Sequence, residues 1–204
     1  IEDGVDATFL KFLAADYTTP SVTTTLVGLS GDKYCMALDE ANDRIYFTNN
    51  SGAVTNKFVA LDLAGSVVTG PYQFTQNGPI ALAEYPNLQI DGDGNLYCAW
   101  TTQWPSPLPY YNISWLVSRD LGVTWEQADG TAISIPVVVD STGPCNQVTR
   151  YIERGNNTFL SSFIFANGRL HFLYYMYDGT TYYQQYCRIH PTTGEVEIRT
   201  IQPL

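Results

Sequence analysis

Apolar residues recur along the chain in short runs, and no run keeps the three-and-four spacing of an amphipathic helix. The runs are broken by Gly, Asn, Asp and Pro, and several turns contain Asn-Gly or Asp-Gly, which suit tight hairpins. This pattern predicts an all-β chain. The predicted strands are residues 8–14, 23–29, 34–38, 44–48, 57–61, 81–90, 95–101, 113–118, 133–139, 146–153, 159–165, 169–177, 182–190 and 196–201.

Three segments repeat one order: an apolar strand end, a polar turn and an apolar–aromatic strand. They are residues 38–47, 90–100 and 164–175, and a second hairpin follows each, so the unit is four antiparallel strands. Stacking such sheets around an axis buries both of their faces. We therefore predict a β-propeller with about four to five four-stranded blades. Residues 1–204 would be a single propeller domain or a fragment of a larger propeller, with 81–127 as the clearest blade; the alternative is a β-sandwich.

The charge of the chain narrows the classes of partner. Lys and Arg number 10 against 20 Asp and Glu, so the net charge is −10. Double-stranded nucleic acid is excluded as a partner because its binding needs clustered Lys and Arg, and no basic run occurs. No apolar stretch approaches the length that spans a bilayer, so we expect no membrane insertion. The chain begins at Ile1 without a signal peptide, which we interpret as a processed product, a fragment or the ordered part of a longer polypeptide.

Cysteine and histidine give little sign of a metal site. Four cysteines allow three disulfide pairings, and those in strand-like runs are expected to be small buried residues. No CxxC pair occurs, and His171 and His190 have no neighbouring ligand. The segment DGDGN at 91–95 resembles the start of a calcium loop but has Leu96 and Thr102 at the sixth and twelfth positions, so we expect a hairpin turn. We predict neither a metal nor a cofactor.

The segment SRDLGVTW at 118–125 stands between two predicted strands and fits a known turn motif. All five defined positions of the Asp-box, or BNR repeat, agree. The chain therefore resembles the sialidase-like β-propellers over about one blade, and this resemblance implies a turn between the third and fourth strands. In that family the boxes lie on the rim, away from the active site. The matching residues are Ser118, Asp120, Gly122, Thr124 and Trp125.

The chemistry of the box residues predicts a structural role. Asp120 can accept hydrogen bonds from amides of its own turn, and Gly122 permits a left-handed backbone. The hydroxyls of Ser118 and Thr124 can close the hairpin, and Trp125 can pack between sheets. We expect Arg119, at a variable position, to face solvent.

The resemblance also implies what a catalytic site would contain. Sialidases with this fold hold a substrate carboxylate with three arginines, use a Tyr paired with a Glu as nucleophile and use an Asp as acid/base. The densest polar cluster in this chain is RYIER at 150–154, so the candidate catalytic residues are Arg150, Tyr151 and Glu153. Alternation along a strand would place Tyr151 and Glu153 on one face and Arg150 on the other. A strand with charges on its outer face explains the cluster as well, and the arginine triad is not assembled.

The segment AWTTQWPSPLPYYNISW at 99–115 is rich in proline and aromatic residues. It predicts an exposed, semi-rigid loop, because proline disfavours a strand interior. Aromatic rings suit the apolar faces of sugars; the alternative is that they cover a neighbouring blade or a partner chain. The candidate glycan-binding residues are Trp100, Trp104, Tyr110 and Tyr111.

These observations favour an extracellular, carbohydrate-recognising propeller, with glycan binding favoured over catalysis. The first alternative is a structural or adhesive module of a larger extracellular or virion assembly, such as a phage tail or receptor-binding component. The second is an enzyme, either a sialidase-like glycoside hydrolase or a polysaccharide lyase. The expected partners are a glycan or polysaccharide and further subunits, as a homo-oligomer or a larger assembly, and the expected location is secreted or on a virion surface.

Overall fold

The computed structural model describes residues 7–12, 20–26, 29, 33–50, 56–78, 82–103, 110–139, 145–150, 153 and 157–203. Strands dominate this part of the chain, and no α-helix occurs in it. The predicted all-β class is thus confirmed. The strands are β1 (Ala7–Phe12), β2 (Pro20–Leu26), β3 (Lys33–Asp39), β4 (Arg44–Asn50), β5 (Asn56–Asp62), β6 (Val67–Gln73), β7 (Thr75–Asn77), β8 (Leu82–Ile90), β9 (Leu96–Gln103), β10 (Tyr110–Ser118), β11 (Trp125–Glu126), β12 (Ala132–Ile133), β13 (Val137–Val139), β14 (Asn146–Gln147), β15 (Phe159–Ala166), β16 (Arg169–Tyr177), β17 (Tyr182–Ile189) and β18 (Val196–Pro203).

The strands form three blade-like sheets of consecutive antiparallel strands. The first has the order β3-β4-β5-β6, the second β8-β9-β10-β11-β12 and the third β15-β16-β17-β18. Strand β14 pairs with β10 at the edge of the second sheet, β1 pairs with β2, and β13 pairs in parallel with β7. Repeated sheets of this kind, two with four strands and one with six, confirm a propeller-type fold. The described residues hold three of them and the β1–β2 pair, compared with about four to five blades expected.

Two apolar layers lie between neighbouring sheets, and the second sheet contributes to both. Trp100 and Trp125 pack between the first and second sheets, whereas Trp115 packs between the second and third. Side chains alternate between the two faces of a strand, so β9 and β10 are buried on both faces. This explains why both strands read as continuous apolar runs rather than as alternating ones.

The segment after β14 differs from its prediction. A strand was expected over 146–153, but β14 ends at Gln147, and the amide of Glu153 donates to the carbonyl of Arg150 (3.0 Å) in a turn. The prediction that Arg150 and Glu153 lie on opposite faces of a strand is therefore wrong. The cysteines form no disulfide, and Cys98 and Cys187 are buried as small apolar residues.

The strand register defines two ends of the blades. Strand β10 ends with Ser118 at the Asp-box end and begins with Tyr110 at the other end. At about 3.3 Å per residue, the two residues are roughly 26 Å apart. The β3–β4 and β8–β9 turns meet at the Asp-box end, where the Cβ position of Gly94 lies beside the Asn42 side chain. We call the opposite end of the blades the Tyr110 end.

Candidate functional site

The Asp-box forms a closed set of hydrogen bonds within its own turn. The Ser118 hydroxyl accepts from the amide of Gly122 (2.8 Å) and donates to Asp120 Oδ1 (2.8 Å). The Asp120 carboxylate accepts from the amide (2.8 Å) and the hydroxyl (2.6 Å) of Thr124. Burial opposes ionisation, but the hydrogen bonds from Thr124 and Ser118 outweigh it and hold the pKa of Asp120 below its usual value. The Asp120 carboxylate therefore uses its hydrogen bonds to stabilise its own turn.

The end of the box anchors the second sheet to the first. Trp125 Nε1 donates to Tyr72 Oη (2.7 Å), and that hydroxyl donates to the carbonyl of Gly122 (2.7 Å). Gly122 has a φ of +84°, and a Cβ placed there would lie 2.4 Å from the Phe58 ring. Arg119 is exposed, as expected, and forms an ion pair with Glu126 (2.5 Å). These contacts serve the fold and leave no polar group of the motif aimed at a ligand.

A group of polar and aromatic side chains at the Tyr110 end joins the first and second sheets. Glu84, on β8, is only 8% exposed, and its Oε2 accepts hydrogen bonds from Lys33 Nζ and from Asn50 Nδ2 (2.7 Å). With Tyr85 and Tyr110 these residues form what we call the Lys33–Glu84 cluster. The cation of Lys33 is therefore paired with a nearly buried carboxylate.

Tyr85 belongs to this cluster because of a bulge in β8. Pairing with β9 is regular up to Glu84 and resumes at Asn87, and Tyr85 has a φ of +53°. A left-handed backbone is strained for an aromatic residue, and bulges re-aim side chains beside functional sites. Lys33 Nζ lies 4.6 Å from the centroid of the Tyr85 ring, and Tyr85 Oη lies 2.8 Å from Tyr110 Oη.

Tyr110 continues the aromatic surface towards the third sheet. Its ring centroid lies 5.6 Å from that of Phe159, and Phe159 lies 5.4 Å from Tyr175. We call Tyr85, Tyr110, Phe159 and Tyr175 the aromatic row. Burial, the hydrogen bond to Tyr85 and the nearby charges of Tyr85 and Glu84 raise the pKa of Tyr110, so its phenol stays neutral near pH 7.

The structure separates the predicted glycan-binding residues. Tyr110 and Tyr111 are both half-buried at the start of β10, while Trp104 lies outside the described residues. The prediction for Trp100 is wrong: it is 1% exposed and packs edge-on against Phe74 (centroids 5.7 Å apart), so it offers no face to a sugar.

Sequence reasoning did not single out the partners of Tyr110. One feature of the sequence could have indicated the bulge at Tyr85: the Tyr85–Pro86 pair lies inside the apolar run of residues 82–90. A proline within a strand indicates a bulge or an edge strand. Nothing local indicates that Lys33 and Asn50 face Glu84, because the three residues come from different strands.

The predicted catalytic residues Arg150 and Glu153 do meet, in a network around the buried carboxylate of Glu153. Glu153 is 1% exposed, and its Oε1 accepts from Arg150 Nε (3.0 Å) and Nη2 (2.8 Å). Tyr174 Oη donates to Glu153 Oε2 (3.2 Å), and Arg199 donates to that phenol and to the carbonyl of Val148 (2.7 Å). Glu153 thus points inward, whereas the Arg150 side chain is 40% exposed. Because β14 ends at Gln147, the alternative of a strand with charges on its outer face is wrong as well. Tyr151 lies outside the described residues.

This network contains a Tyr–Glu pair, yet its position closes it to substrate. Tyr174 is 0% exposed, and burial followed by the charge of Glu153 raises its pKa far above the ordinary value. Arg199 connects the third sheet to the segment that carries Val148. The arrangement is that of a clamp between the second and third sheets rather than an accessible nucleophile.

The described residues contain neither a cluster of metal ligands nor a candidate membrane-spanning helix. Within the described ranges, no three His, Cys, Asp or Glu side chains converge as a metal site would require. The same part of the chain contains no helix that is long and apolar enough to cross a membrane.

Comparisons with known proteins agree with the propeller-type fold. The sequence profile of the BNR repeat-containing family matches residues 18–203. Two solved structures of a polysaccharide lyase, described as PL25 ulvan lyase, superpose with a TM-score of 0.58 at 15% identity; one is bound to -[GlcA(1-4)Rha3S]-. The aligned region covers 84% of this chain and 45% of the lyase, so the chain spans less than half the length of that relative. No curated protein matches the sequence.

Proposed function

Because the chain belongs to the BNR repeat-containing family, we propose that it is a carbohydrate-recognising β-propeller that binds a polysaccharide at the Tyr110 end. The observation that carries this proposal is the strained bulge that sets Tyr85 against Tyr110, beside the Lys33–Glu84 pair. An extracellular, secreted or virion-surface location stays a prediction from sequence.

The chemistry of this surface suits a sugar. Tyr rings present apolar faces to the C–H groups of a pyranose, and their hydroxyls can donate and accept hydrogen bonds. The aromatic row extends from Tyr85 to Tyr175 across two sheets, which gives an extended chain several successive contacts. Carbohydrate sites combine a few apolar surfaces with a few fixed polar groups in the same way.

One observation supports recognition over catalysis. The Tyr174–Glu153 pair is sealed from solvent, so it does not offer a nucleophile to a glycosidic bond.

A polysaccharide lyase is the second candidate. It is supported by the superposition with ulvan lyase and by the two phenol hydroxyls, 2.8 Å apart, beside the Lys33 cation. A lyase needs a base for the proton next to a uronate carboxylate and a cation that stabilises the resulting charge. Ultraviolet absorbance of the unsaturated product, measured with several uronate polysaccharides, tests this candidate directly.

The proposal is tested by affinity electrophoresis and calorimetry against a panel of neutral and acidic polysaccharides. With any polysaccharide that binds, Tyr110→Ala should weaken binding at least about tenfold, or ~1.4 kcal/mol. The matched control is Tyr182→Ala, which removes a tyrosine that is 50% exposed on the third sheet, outside the aromatic row. Absence of binding to the whole panel, or equal affinity of wild type and Tyr110→Ala, would rule out the proposed site.

A further inference from the structure

We infer that Arg150 is a further ligand-binding residue at the Tyr110 end, where its guanidinium binds paired acceptor oxygens of the polysaccharide. This inference rests on the proposed function and adds a specificity-determining contact to the same site. Three observations carry it: the place of Arg150 in the fold, the geometry of its side chain and the balance of charge around Glu153.

The chain on either side of Arg150 is hydrogen-bonded to the first residues of β10. Before it, the amide of Val148 donates to the carbonyl of Ile113 (2.9 Å). After it, the amide of Thr158 donates to the carbonyl of Tyr110 (2.9 Å). Arg150 therefore stands near the start of β10, at the end of the blades where the aromatic row lies.

The ion-pair partner of Arg150 is tied to the same place. The Thr158 hydroxyl donates to the backbone carbonyl of Glu153 (2.8 Å), while the Thr158 amide binds Tyr110. The next residue along the chain is Phe159, a member of the aromatic row. Thr158 thus bridges the Arg150–Glu153 pair and the start of the row.

The guanidinium of Arg150 is fixed yet exposed. Its Nε (3.0 Å) and Nη2 (2.8 Å) donate to Glu153 Oε1, and the backbone amide of Arg150 donates to Glu153 Oε2 (2.6 Å). The Glu153 side chain is 1% exposed, whereas that of Arg150 is 40% exposed. The two side-chain bonds use Nε and Nη2, which leaves the Nη1 group without an acceptor in the described part of the chain.

The charges around Glu153 leave one cation uncompensated. Both Arg150 and Arg199 pair with this residue, so two guanidinium groups share a single carboxylate. The Arg199 side chain is 13% exposed and belongs to the buried part of the network, while Arg150 faces solvent. The excess positive charge is therefore carried at the surface, in a chain whose net charge is −10. Lys33, in contrast, pairs with the carboxylate of Glu84.

A fixed guanidinium with available N–H donors suits paired acceptor oxygens. Its planar fork matches the oxygens of a carboxylate or a sulfate group, and neighbouring sugar hydroxyls can also accept from it. Because Glu153 already holds the Arg150 side chain, little rotamer entropy is lost when a ligand binds. The Tyr110 end thus combines aromatic rings, which contact sugar faces, with a directed cation, which fixes the orientation of the chain.

The contact is tested by calorimetry on a β-glucan, a galactomannan, ulvan, polygalacturonate and alginate. With any polysaccharide that binds, Arg150→Ala should weaken binding at least about tenfold, because it removes both the donors and the charge. Arg150→Lys keeps the charge but not the fork, so its affinity should still be about three- to tenfold below that of wild type.

Both variants should stay folded. In Arg150→Ala the buried carboxylate of Glu153 keeps Arg199 and Tyr174 as partners. Melting curves check that each variant is folded at the assay temperature. Arg150→Lys, whose ammonium can still pair with Glu153, keeps the inference testable if Arg150→Ala unfolds.

Arg188 provides a matched control at the Asp-box end. Arg188 and Arg169 share the carboxylate of Glu197, as two arginines share that of Glu153. The Arg188 side chain is 36% exposed, close to the value for Arg150, and Arg188→Ala changes the net charge by the same amount. We expect Arg188→Ala to bind with the wild-type affinity.

Calorimetry at low and high NaCl distinguishes the two sources of paired oxygens. If they belong to carboxylate or sulfate groups, the wild-type affinity should fall as NaCl rises, and Arg150→Ala should reduce that fall, because salt screens exposed charges. If they belong to neutral hydroxyls, both affinities should change less than about twofold with salt.

The outcomes separate the inference from the proposed function. Weaker binding by Arg150→Ala, with wild-type affinity for Arg188→Ala, supports both. Wild-type affinity for Arg150→Ala, together with a loss for Tyr110→Ala, overturns the inference and leaves the proposed function standing. Equal losses for Arg150→Ala and Arg188→Ala also overturn the inference, since they would reflect net charge alone. Absence of binding to every polysaccharide overturns both.

Discussion

The hydroxyl oxygens of Tyr85 and Tyr110 lie 2.8 Å apart, although β9 separates the strands that carry them. The two rings meet because the bulge at Tyr85 takes this residue out of the β8–β9 ladder. A backbone distortion therefore builds the surface that we assign to the ligand.

Tyr85→Gly should separate binding from stability. Glycine adopts a φ of +53° without strain, so relief of backbone strain offsets the lost ring contacts. We expect the free energy of unfolding to change by less than about 1 kcal/mol, and polysaccharide affinity to fall at least about tenfold. Urea unfolding and calorimetry measure the two quantities. A variant with wild-type affinity would show that the strained residue serves only the fold.

Gly122→Ala should be far more destabilising than Gly130→Ala. Both glycines have a positive φ (+84° and +87°), so both substitutions carry the left-handed cost of about 1–2 kcal/mol. Only at Gly122 would the new Cβ collide with the Phe58 ring, whereas nothing lies within 4 Å of the corresponding position at Gly130. The difference between the two free energies of unfolding isolates the collision, and equal values would contradict the packing described for the box.

Asp120→Asn should destabilise the protein at neutral pH by about 1–3 kcal/mol, because the carboxylate accepts hydrogen bonds from Thr124 and Ser118. The folded-state pKa of Asp120 is lowered. Its contribution is therefore complete above the unfolded pKa of about 3.9 and is lost as pH falls through the lower folded value. Urea unfolding at pH 7 and near pH 2.5 should show the gap between wild type and variant closing in acid. Polysaccharide affinity at pH 7 should not change.

Glu153→Gln should cost about 3–5 kcal/mol, because it leaves the nearly buried Arg199 without its countercharge. Glu197→Gln is the control, since Glu197 pairs with Arg169 and Arg188 at the surface and its loss should be small. Thermal melts of the two variants make the comparison. If Glu153→Gln were stable but unable to bind polysaccharide, the role of Glu153 as a clamp would be wrong.

The fold was largely predictable from the chain, because hairpin chemistry and the Asp-box are local signals. The turn between β10 and β11 follows directly from Ser118, Asp120 and Gly122. Trp100 shows where such reasoning fails. An aromatic residue near prolines resembles a binding residue, but side chains alternate along β9, and Trp100 lies on the face that packs between the first and second sheets. The Lys33–Glu84 cluster was not predictable, because its members come from β3, β4, β8 and β10, and their proximity depends on how the sheets pack.

The parallel pairing of β7 with β13 has a consequence for the order of folding. Residues 75–77 follow directly after the first sheet, but their partners at 137–139 come only after the whole second sheet. During synthesis from the N-terminus, β7 therefore stays without its strand partner until Val139 has emerged from the ribosome. Closing a loop of this length is entropically costly and slow. We expect truncation before Val137 to yield a first sheet that is collapsed yet still open to proteases at Phe74, whose carbonyl normally accepts a hydrogen bond from the amide of Val137.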